Sequence, residues 1–431
     1  MKIFFIILIF FLNFKFAYSE NSLIFYLETA YKKNPKLNAE RKNFQATKEN
    51  INISRSEFLP SISLSGSVDG SQSTNRTSSS GQILPDQGSD TESKSISIDQ
   101  KIFQGFEGYN SLKKSQLEVE RASHQLRDAE QTTIYETVDA YFDYIYRIKN
   151  KTINLANVYL FERQVESDGA RVQKGEITLT DLAQSESSLA GARANYISAE
   201  NELLTTKTNF ERIVGTQVPE NPNDNLDIKL NLPQSLNEAL KISDKYNPRL
   251  LVAKIEHEIS KKDVNISKAK FSPSASINYS KSENSDLSST VDKTDKESVK
   301  ATITWPLVKG GKNYSSIKKS KFKEQQSKLI LDNIINEVKT DTANAWSLYQ
   351  SAKSVLTSTQ AQVEAAEIAN EGITLEYDSG NTRTTLDVIQ SRSLLLNASV
   401  ANSRAEKDFI LSKFKLISVL GILTLEKLKN S

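Results

Sequence analysis

The chain has 431 residues, of which 38% are hydrophobic and 25% are charged, and its formal net charge is +2. A charge so close to zero lacks the basic excess that nucleic-acid-binding proteins carry. The absence of cysteine from the sequence excludes a disulfide framework and a thiol nucleophile.

Residues 1–19 have the pattern of a secretory signal peptide. Lys2 gives a positive start, an apolar run follows at residues 3–14, and Ala17-Tyr18-Ser19 ends it with small residues at the positions that a signal peptidase reads. We therefore expect export of the chain and cleavage after Ser19. A single membrane anchor is the alternative, but the run is short and charge follows it closely.

The rest of the chain repeats itself. Asn34-Pro35-Lys36-Leu37 reappears as Asn247-Pro248-Arg249-Leu250, and further matches follow in the same order. The sequence therefore predicts two tandem structural repeats, at residues 20–218 and 235–431. Residues 219–234 are rich in Pro, Asn and Asp and form the expected linker, or equatorial segment, between them.

Each repeat is expected to open with two helices, the second of which begins at the repeated proline and ends near Pro60 or Pro273. The hydrophobic period then changes from 3.6 to 2, which predicts strands with one apolar and one polar face. The predicted strands are residues 61–68, 95–103, 274–280 and 298–305. Between the strands of each pair lie stretches rich in Ser, Thr, Asn and Asp, which predict long polar hairpin loops.

Long helices follow the strands in both repeats. Residues 109–168 and residues 312–371 contain neither glycine nor proline, and a continuous helix of that length would reach roughly 90 Å. Apolar residues spaced by three and four predict coiled-coil packing. The predicted long helices are residues 109–168 and 181–214 in the first repeat and residues 312–376 and 386–420 in the second, with turns around Gly175 and Gly380.

Four strands per chain are too few to close a transmembrane barrel. After Ser19 no apolar run is long enough for a membrane-spanning helix, so a closed barrel is the remaining way across a bilayer. Two copies would supply eight strands with a filled interior, whereas three would supply twelve strands and room for a lumen. The sequence thus predicts a mixed fold, in which a transmembrane β-barrel shared between copies continues into a long α-helical coiled-coil barrel.

Several motifs resemble those of the TolC-like outer-membrane efflux proteins. They are the repeated Asn-Pro-[Lys/Arg]-Leu, the segment Trp305–Gly311 after the last strand, and the segment Tyr377–Ser391 at the second turn. The resemblance covers nearly all of the mature chain. It implies a homotrimer in the outer membrane of a Gram-negative bacterium, with a twelve-stranded barrel in lipid and a periplasmic tunnel of helices. It also implies a periplasmic adaptor and an inner-membrane efflux pump or ABC transporter as partners.

The resemblance further implies a gate at the periplasmic end of the tunnel. In that family a Tyr and an Arg of the second turn pair with an Asp of the first, and here the matching residues are Tyr377, Arg383 and Asp181. By themselves these residue types are ordinary in turns, because Asp is a good helix cap and Arg is usually solvated.

Two further positions match the acidic rings that narrow the pore in that family. Asp387 matches a member of one ring, whereas Gln390 stands at the position of the second ring. The turns at Gly175 and Gly380 match the tips at which the adaptor docks.

The chain shows no catalytic or metal-binding constellation. His124 and His257 are the only histidines, and each lies among charged residues of a predicted helix without a second ligand nearby. We therefore expect a passive exit duct of a tripartite efflux or type I secretion system, with no enzymatic activity, cofactor or metal. A structural coiled-coil protein, or the adaptor of an export complex, is the alternative, but neither needs strands with a lipid-compatible face.

Overall fold

The computed structural model describes residues 22–224, 228, 230–288, 291–380 and 383–429. The predicted signal peptide at residues 1–19 lies outside these residues. Most of the described chain is helical, and a four-stranded antiparallel sheet accompanies the helices. Over the described residues, no helix combines the length and the apolar character needed to span a bilayer.

Both halves of the chain contain two helices, two long strands and two long helices in that order. The helices are α1 (Leu23–Lys33), α2 (Pro35–Ser56), α3 (Glu107–Gln173), α4 (Leu179–Val214), α5 (Leu236–Tyr246), α6 (Pro248–Ala269), α7 (Lys312–Asp378), α8 (Thr385–Val419) and α9 (Leu425–Lys429). The strands are β1 (Ser61–Ser73), β2 (Arg76–Thr77), β3 (Ile83–Leu84), β4 (Gln87–Gln104), β5 (Ser274–Ser288) and β6 (Val291–Thr304). Strands β2 and β3 form a small separate hairpin, and β2, β3 and α9 have no counterpart among the described residues of the other half.

The repeated Asn-Pro sequence joins two helices at a fixed point. The Asn34 side chain accepts a hydrogen bond from the Leu37 backbone N–H at 3.1 Å, and its amide donates to the Ile213 carbonyl at 3.0 Å. In the second half of the chain, the Asn247 amide donates to the Val419 carbonyl at 2.7 Å. Each asparagine thus satisfies a carbonyl in the last turn of a long helix, where intrahelical partners are lacking.

The main sheet has the order β1-β4-β5-β6, so its outer strands are β1 and β6. Cross-strand register places Ile62 opposite Ile98, Ile98 opposite Tyr279, and Tyr279 opposite Val299. The next row along the strands consists of Ser63, Ser97, Ser280 and Ser298. Because neighbouring residues of a strand point to opposite faces, the two rows lie on opposite faces of the sheet. We call the face with the isoleucine row the apolar face, although its next row joins Leu64 and Ile96 to the charged Lys281 and Glu297.

The apolar face of the sheet is open in the single chain. Ile62 is 66% exposed and Val299 is 73% exposed, whereas isolated soluble domains rarely expose a continuous apolar patch of this kind. The strands run further into the polar segments than the alternating pattern predicts: β1 to Ser73, β4 from Gln87, β5 to Ser288 and β6 from Val291. The prediction of long hairpin loops was therefore wrong for much of both segments, because backbone pairing continues where the side-chain alternation ends.

The described chain packs as two compact units, and each unit draws on both halves of the sequence. One unit comprises the described residues within 22–40, 126–248 and 336–429, and the other comprises those within 41–125 and 249–335. The sheet belongs to the second unit. The turns between α3 and α4 and between α7 and α8 belong to the first.

The core of the first unit is built around aromatic side chains. Tyr141 and Phe210 have no exposed surface, and Tyr26 packs against both rings. The Tyr141 hydroxyl donates to the Asn223 carbonyl at 3.0 Å, and burial raises the pKa of Tyr141 to about 12. A tyrosine that stays neutral keeps its hydrogen bond, so the connecting segment is fixed against the long helices.

Candidate functional site at the helical turns

The two turns are built by the same local chemistry. At the first turn, the Asp181 carboxylate accepts from the Thr178 N–H at 3.0 Å, and the Asp181 N–H donates to the Thr178 hydroxyl at 3.2 Å. At the second turn, Asp387 and Thr384 make the same pair of bonds at 2.8 and 3.2 Å. These reciprocal capping boxes start α4 and α8 and satisfy backbone donors that the first helical turn leaves free.

Both capping carboxylates are held in their charged form. Hydrogen bonds from the side chain and backbone of Thr178 lower the pKa of Asp181. The backbone and side chain of Thr384 lower the pKa of Asp387 in the same way. Each helix therefore begins with a negative charge near its positive dipole end, which stabilises the helix terminus.

Gly175 and Gly380 occupy the tips of the turns with φ angles of +73° and +74°. A Cβ atom at either position would meet nothing within 4 Å. Glycine is therefore used there for its backbone conformation and not for lack of space. Both tips are exposed in the single chain.

A buried carboxylate, that of Asp168, lies near the C-terminal end of α3, shortly before the first turn. The sequence motifs did not indicate it. Asp168 of α3 has no exposed surface. Its Oδ1 accepts from the Tyr377 hydroxyl at 2.6 Å and from the Gln164 amide at 2.8 Å. Its Oδ2 accepts from the Ser185 hydroxyl at 2.5 Å. We call Asp168, Gln164, Ser185 and Tyr377 the tip cluster.

Tyr377 is the member of the tip cluster that comes from the second half of the chain. It is 2% exposed, and its hydroxyl also lies 3.0 Å from the Thr385 hydroxyl. Burial, together with the hydrogen bond to Asp168, raises the pKa of Tyr377 to about 12. The phenol therefore remains a donor to the carboxylate throughout the physiological pH range.

The three predicted gate residues have different partners within one chain. Tyr377 bonds to Asp168, and the Arg383 Nε donates to Glu376 at 2.6 Å. Within the described part of a single chain, no hydrogen bond or ion pair joins Asp181 to either of them. Gln390 lies one turn after Asp387 on α8 and is exposed.

Asp168 belongs to a regular spacing of buried residues along α3, but this pattern can be recognised only once the burial of those residues is known. Residues spaced by three and four along α3 form a buried stripe that becomes polar towards the turn. The stripe consists of Asn150, Asn154, Asn157, Phe161, Gln164 and Asp168. A charged residue at a core position of a coiled coil must find partners, and this one finds them on other helices. In the described ranges, no group of three or more His, Cys, Asp or Glu residues could hold a metal ion.

Comparisons with known proteins agree with this architecture. A family model described as outer membrane efflux protein matches residues 26–216 and 240–422. The chain is 26% identical over 404 residues to the outer membrane efflux protein BepC of Brucella suis biovar 1 (strain 1330), covering 93% of this chain and 86% of BepC. It is 23% identical over 409 residues to the outer membrane protein TolC of Escherichia coli (strain K12), covering 90% and 80% of the two chains.

The fold is also shared with solved structures. The outer membrane channel CmeC of Campylobacter jejuni matches with a TM-score of 0.80 at 16% identity, over 93% of this chain and 85% of that chain. At this level of identity the match establishes a common fold. The long helices and the small antiparallel sheet therefore belong to one known architecture.

Proposed function

The chain belongs to the outer membrane efflux protein family, and we propose that three copies of it form one exit duct. The protein is an outer-membrane channel of a Gram-negative bacterium, with a helical periplasmic extension, and it serves efflux or type I secretion. Its cargo, small molecules or polypeptides, would pass through a lumen enclosed jointly by the three copies.

The four-stranded sheet, with its two outer strands and exposed apolar face, supports a channel shared between copies. In lipid, every backbone donor and acceptor needs a partner, so the edges of β1 and β6 must be covered. A β1 edge paired with the β6 edge of the next copy would cover both. Three copies give twelve strands, which is enough for an open lumen. The serine rows would then face water and the isoleucine and valine rows would face lipid.

We propose that residues 20–218 and 235–431 are two copies of one structural unit. Each contributes two strands of the main sheet and two long helices, in the same order. The connecting residues 219–234 would form the equatorial segment between them. A trimer would thus place twelve long helices around its periplasmic tunnel.

The exposed turns at Gly175 and Gly380 are the proposed docking tips for a periplasmic adaptor. An inner-membrane efflux pump or ABC transporter would supply the energy, so the duct itself would be passive.

Three copies of Asp387 would surround the pore near these tips. Gln390, which is uncharged, would add no second acidic ring, so we expect only a weak preference for cations.

At the periplasmic end we propose that Arg383 of one copy pairs with Asp181 of the next. Arg383 is exposed, and hydrogen bonds from Thr178 lower the pKa of Asp181, so this carboxylate stays ionised to a lower pH than a free one. The two hydrogen bonds from Thr178 both use Asp181 Oδ2, which leaves Oδ1 available to a guanidinium group. Exposed pairs of this kind are weak, and three symmetric copies would make a closure that can still open.

Purification and planar-bilayer recordings test this function. We expect the protein to remain with outer membranes until detergent is added, to migrate as a heat-sensitive trimer, and to give discrete conductance steps in planar bilayers. A heat-dissociated sample at equal concentration is the control and should give no steps. Recovery as a soluble monomer from the periplasmic fraction would instead support the coiled-coil or adaptor function.

A further inference from the structure

We propose that this chain closes its periplasmic end with two separate carboxylates. Asp168 binds Tyr377 within each chain, and Asp181 is left for Arg383 of a neighbouring copy. The inference rests on the proposed channel function and adds a gate residue, Asp168, that the family motifs do not indicate. It also assigns Tyr377 to a different carboxylate from the one that the resemblance implies.

The geometry of Asp168 is that of a carboxylate fixed by several helices. Its three donors come from α3 itself, from α4 and from the last turn of α7. Both carboxylate oxygens are used, and the side chain has no contact with solvent. Burial of a charge is costly unless it is hydrogen-bonded, so each donor matters more here than on the surface. The contact between Asp168 and Tyr377 therefore joins the hairpin formed by α3 and α4 to the hairpin formed by α7 and α8.

Two cationic side chains accompany the tip cluster. The Arg171 guanidinium lies 4.3 Å from the centre of the Tyr377 ring, which is a favourable cation–π distance. Arg392 of α8 is 7% exposed and donates to the Leu160 carbonyl at 2.9 Å. Burial lowers the pKa of Arg392, while the charges of Asp378 and Asp168 oppose that change. The Arg171 contact thus gives Tyr377 a second attachment to α3.

Asp181 is unsuited to the role that Asp168 fills. Its carboxylate is partly exposed, and its Oδ2 is occupied by the capping box of α4. The Tyr377 hydroxyl is buried and already lies between Asp168 and Thr385. The two carboxylates therefore serve different contacts, one buried within a chain and one exposed towards another copy.

A double-mutant cycle distinguishes the two carboxylates. Tyr377→Phe removes one hydroxyl and keeps the ring that packs against Arg171. We expect it to raise the open-to-closed ratio in planar bilayers at least about tenfold, because a hydrogen bond worth about 0.5–1.5 kcal/mol is lost in each of the three copies. In a protein that already carries Asp168→Asn, Tyr377→Phe should raise the open-to-closed ratio by much less than tenfold, because the two side chains interact directly. Combined with Asp181→Asn, the two effects should multiply.

Thermal unfolding of the same variants, followed by circular dichroism in detergent, is a second readout that does not depend on conduction. Coupling of Tyr377 to Asp168 should appear there also. The proposal is overturned if Tyr377 couples to Asp181 and not to Asp168, or if Tyr377→Phe lowers the unfolding temperature and leaves the open-to-closed ratio unchanged. Absence of any conductance from the wild-type trimer would count against the channel function, and coupling in the unfolding data would still show which carboxylate Tyr377 binds.

Discussion

The open-to-closed ratio of the reconstituted channel is expected to rise by up to about 100-fold when Asp181→Asn and Arg383→Gln are combined. An exposed ion pair contributes about 0–1 kcal/mol, and at the upper value three copies contribute about 3 kcal/mol, which corresponds to that ratio. Asn at position 181 keeps an oxygen that can accept the Thr178 N–H, so the start of α4 should remain intact. Single-channel recordings in planar bilayers measure the change.

Glu376→Gln is the matched control for this variant. Within one chain Glu376 accepts from Arg383 at 2.6 Å, so it competes for the guanidinium that closes the gate. Its removal frees Arg383 for the neighbouring copy, and we expect an unchanged or lower open-to-closed ratio. If the double variant conducts like the wild type, or if Glu376→Gln opens the channel equally, Asp181 and Arg383 are not gate partners.

A second large effect is expected from Gly421→Ala, which should destabilise the protein by about 3 kcal/mol. Gly421 follows α8 with a φ angle of +77°, a conformation that costs a residue with a Cβ about 1–2 kcal/mol. A methyl group there would overlap the Tyr246 carbonyl and lie 2.8 Å from the Asn247 Cα. Overpacking of this kind typically adds about 1–3 kcal/mol. The unfolding temperature in detergent, measured by circular dichroism, reports the loss.

Gly215→Ala provides the comparison at the corresponding helix end in the first half of the chain. Gly215 follows α4 with a φ angle of +78°, but the nearest atom to an added Cβ is the Lys33 Cβ at 3.3 Å. The backbone cost of about 1–2 kcal/mol should dominate, because the Lys33 side chain needs to move by only a few tenths of an ångström. Equal losses for the two variants would mean that the close approach of Tyr246 to Gly421 carries no energetic weight.

The strands and helices could be predicted from periodicity because their faces differ sharply. Alternation of Ile62 and Leu64 with serines indicates β1, and the register then follows from pairing apolar rows. The end of β1 was harder to predict, since residues 69–73 are polar or glycine on both faces. Apolar and polar residues do not alternate in this stretch, so the sequence does not indicate a strand there. Backbone pairing with residues 87–91 decides its structure.

The residues of the candidate site likewise fall into two groups, those that a local sequence pattern indicates and those that only the packing of helices reveals. The family motif indicated Asp181 and Asp387 at the two turns, whereas their place in capping boxes that begin at Thr178 and Thr384 is known only from the structure. Asp168 could not be predicted, because its decisive partner Tyr377 is 209 residues away in sequence. A lone Asp in a long helix is ordinarily solvated, and only the packing of α3 against α4 and α7 reveals that this one is buried.

We expect the outer strands β1 and β6 of neighbouring copies to pair with each other. The chain lacks cysteine, so any disulfide in a variant must join the introduced cysteines. Ile62→Cys can be combined in turn with Val299→Cys, Ala301→Cys and Ile303→Cys, which lie on the same face of the sheet. Ser298→Cys and Lys300→Cys lie on the opposite face and serve as controls. A disulfide forms only when the Cα atoms are within about 7 Å.

Oxidation of these variants in intact outer membranes, followed by denaturing electrophoresis without reductant, tests the pairing of β1 with β6 directly. At least one same-face pair should give covalent dimers and trimers that reductant converts back to monomers, and the opposite-face controls should stay monomeric. Monomers alone for every same-face pair would contradict the joining of β1 to β6 between copies, and with it a barrel shared by identical chains.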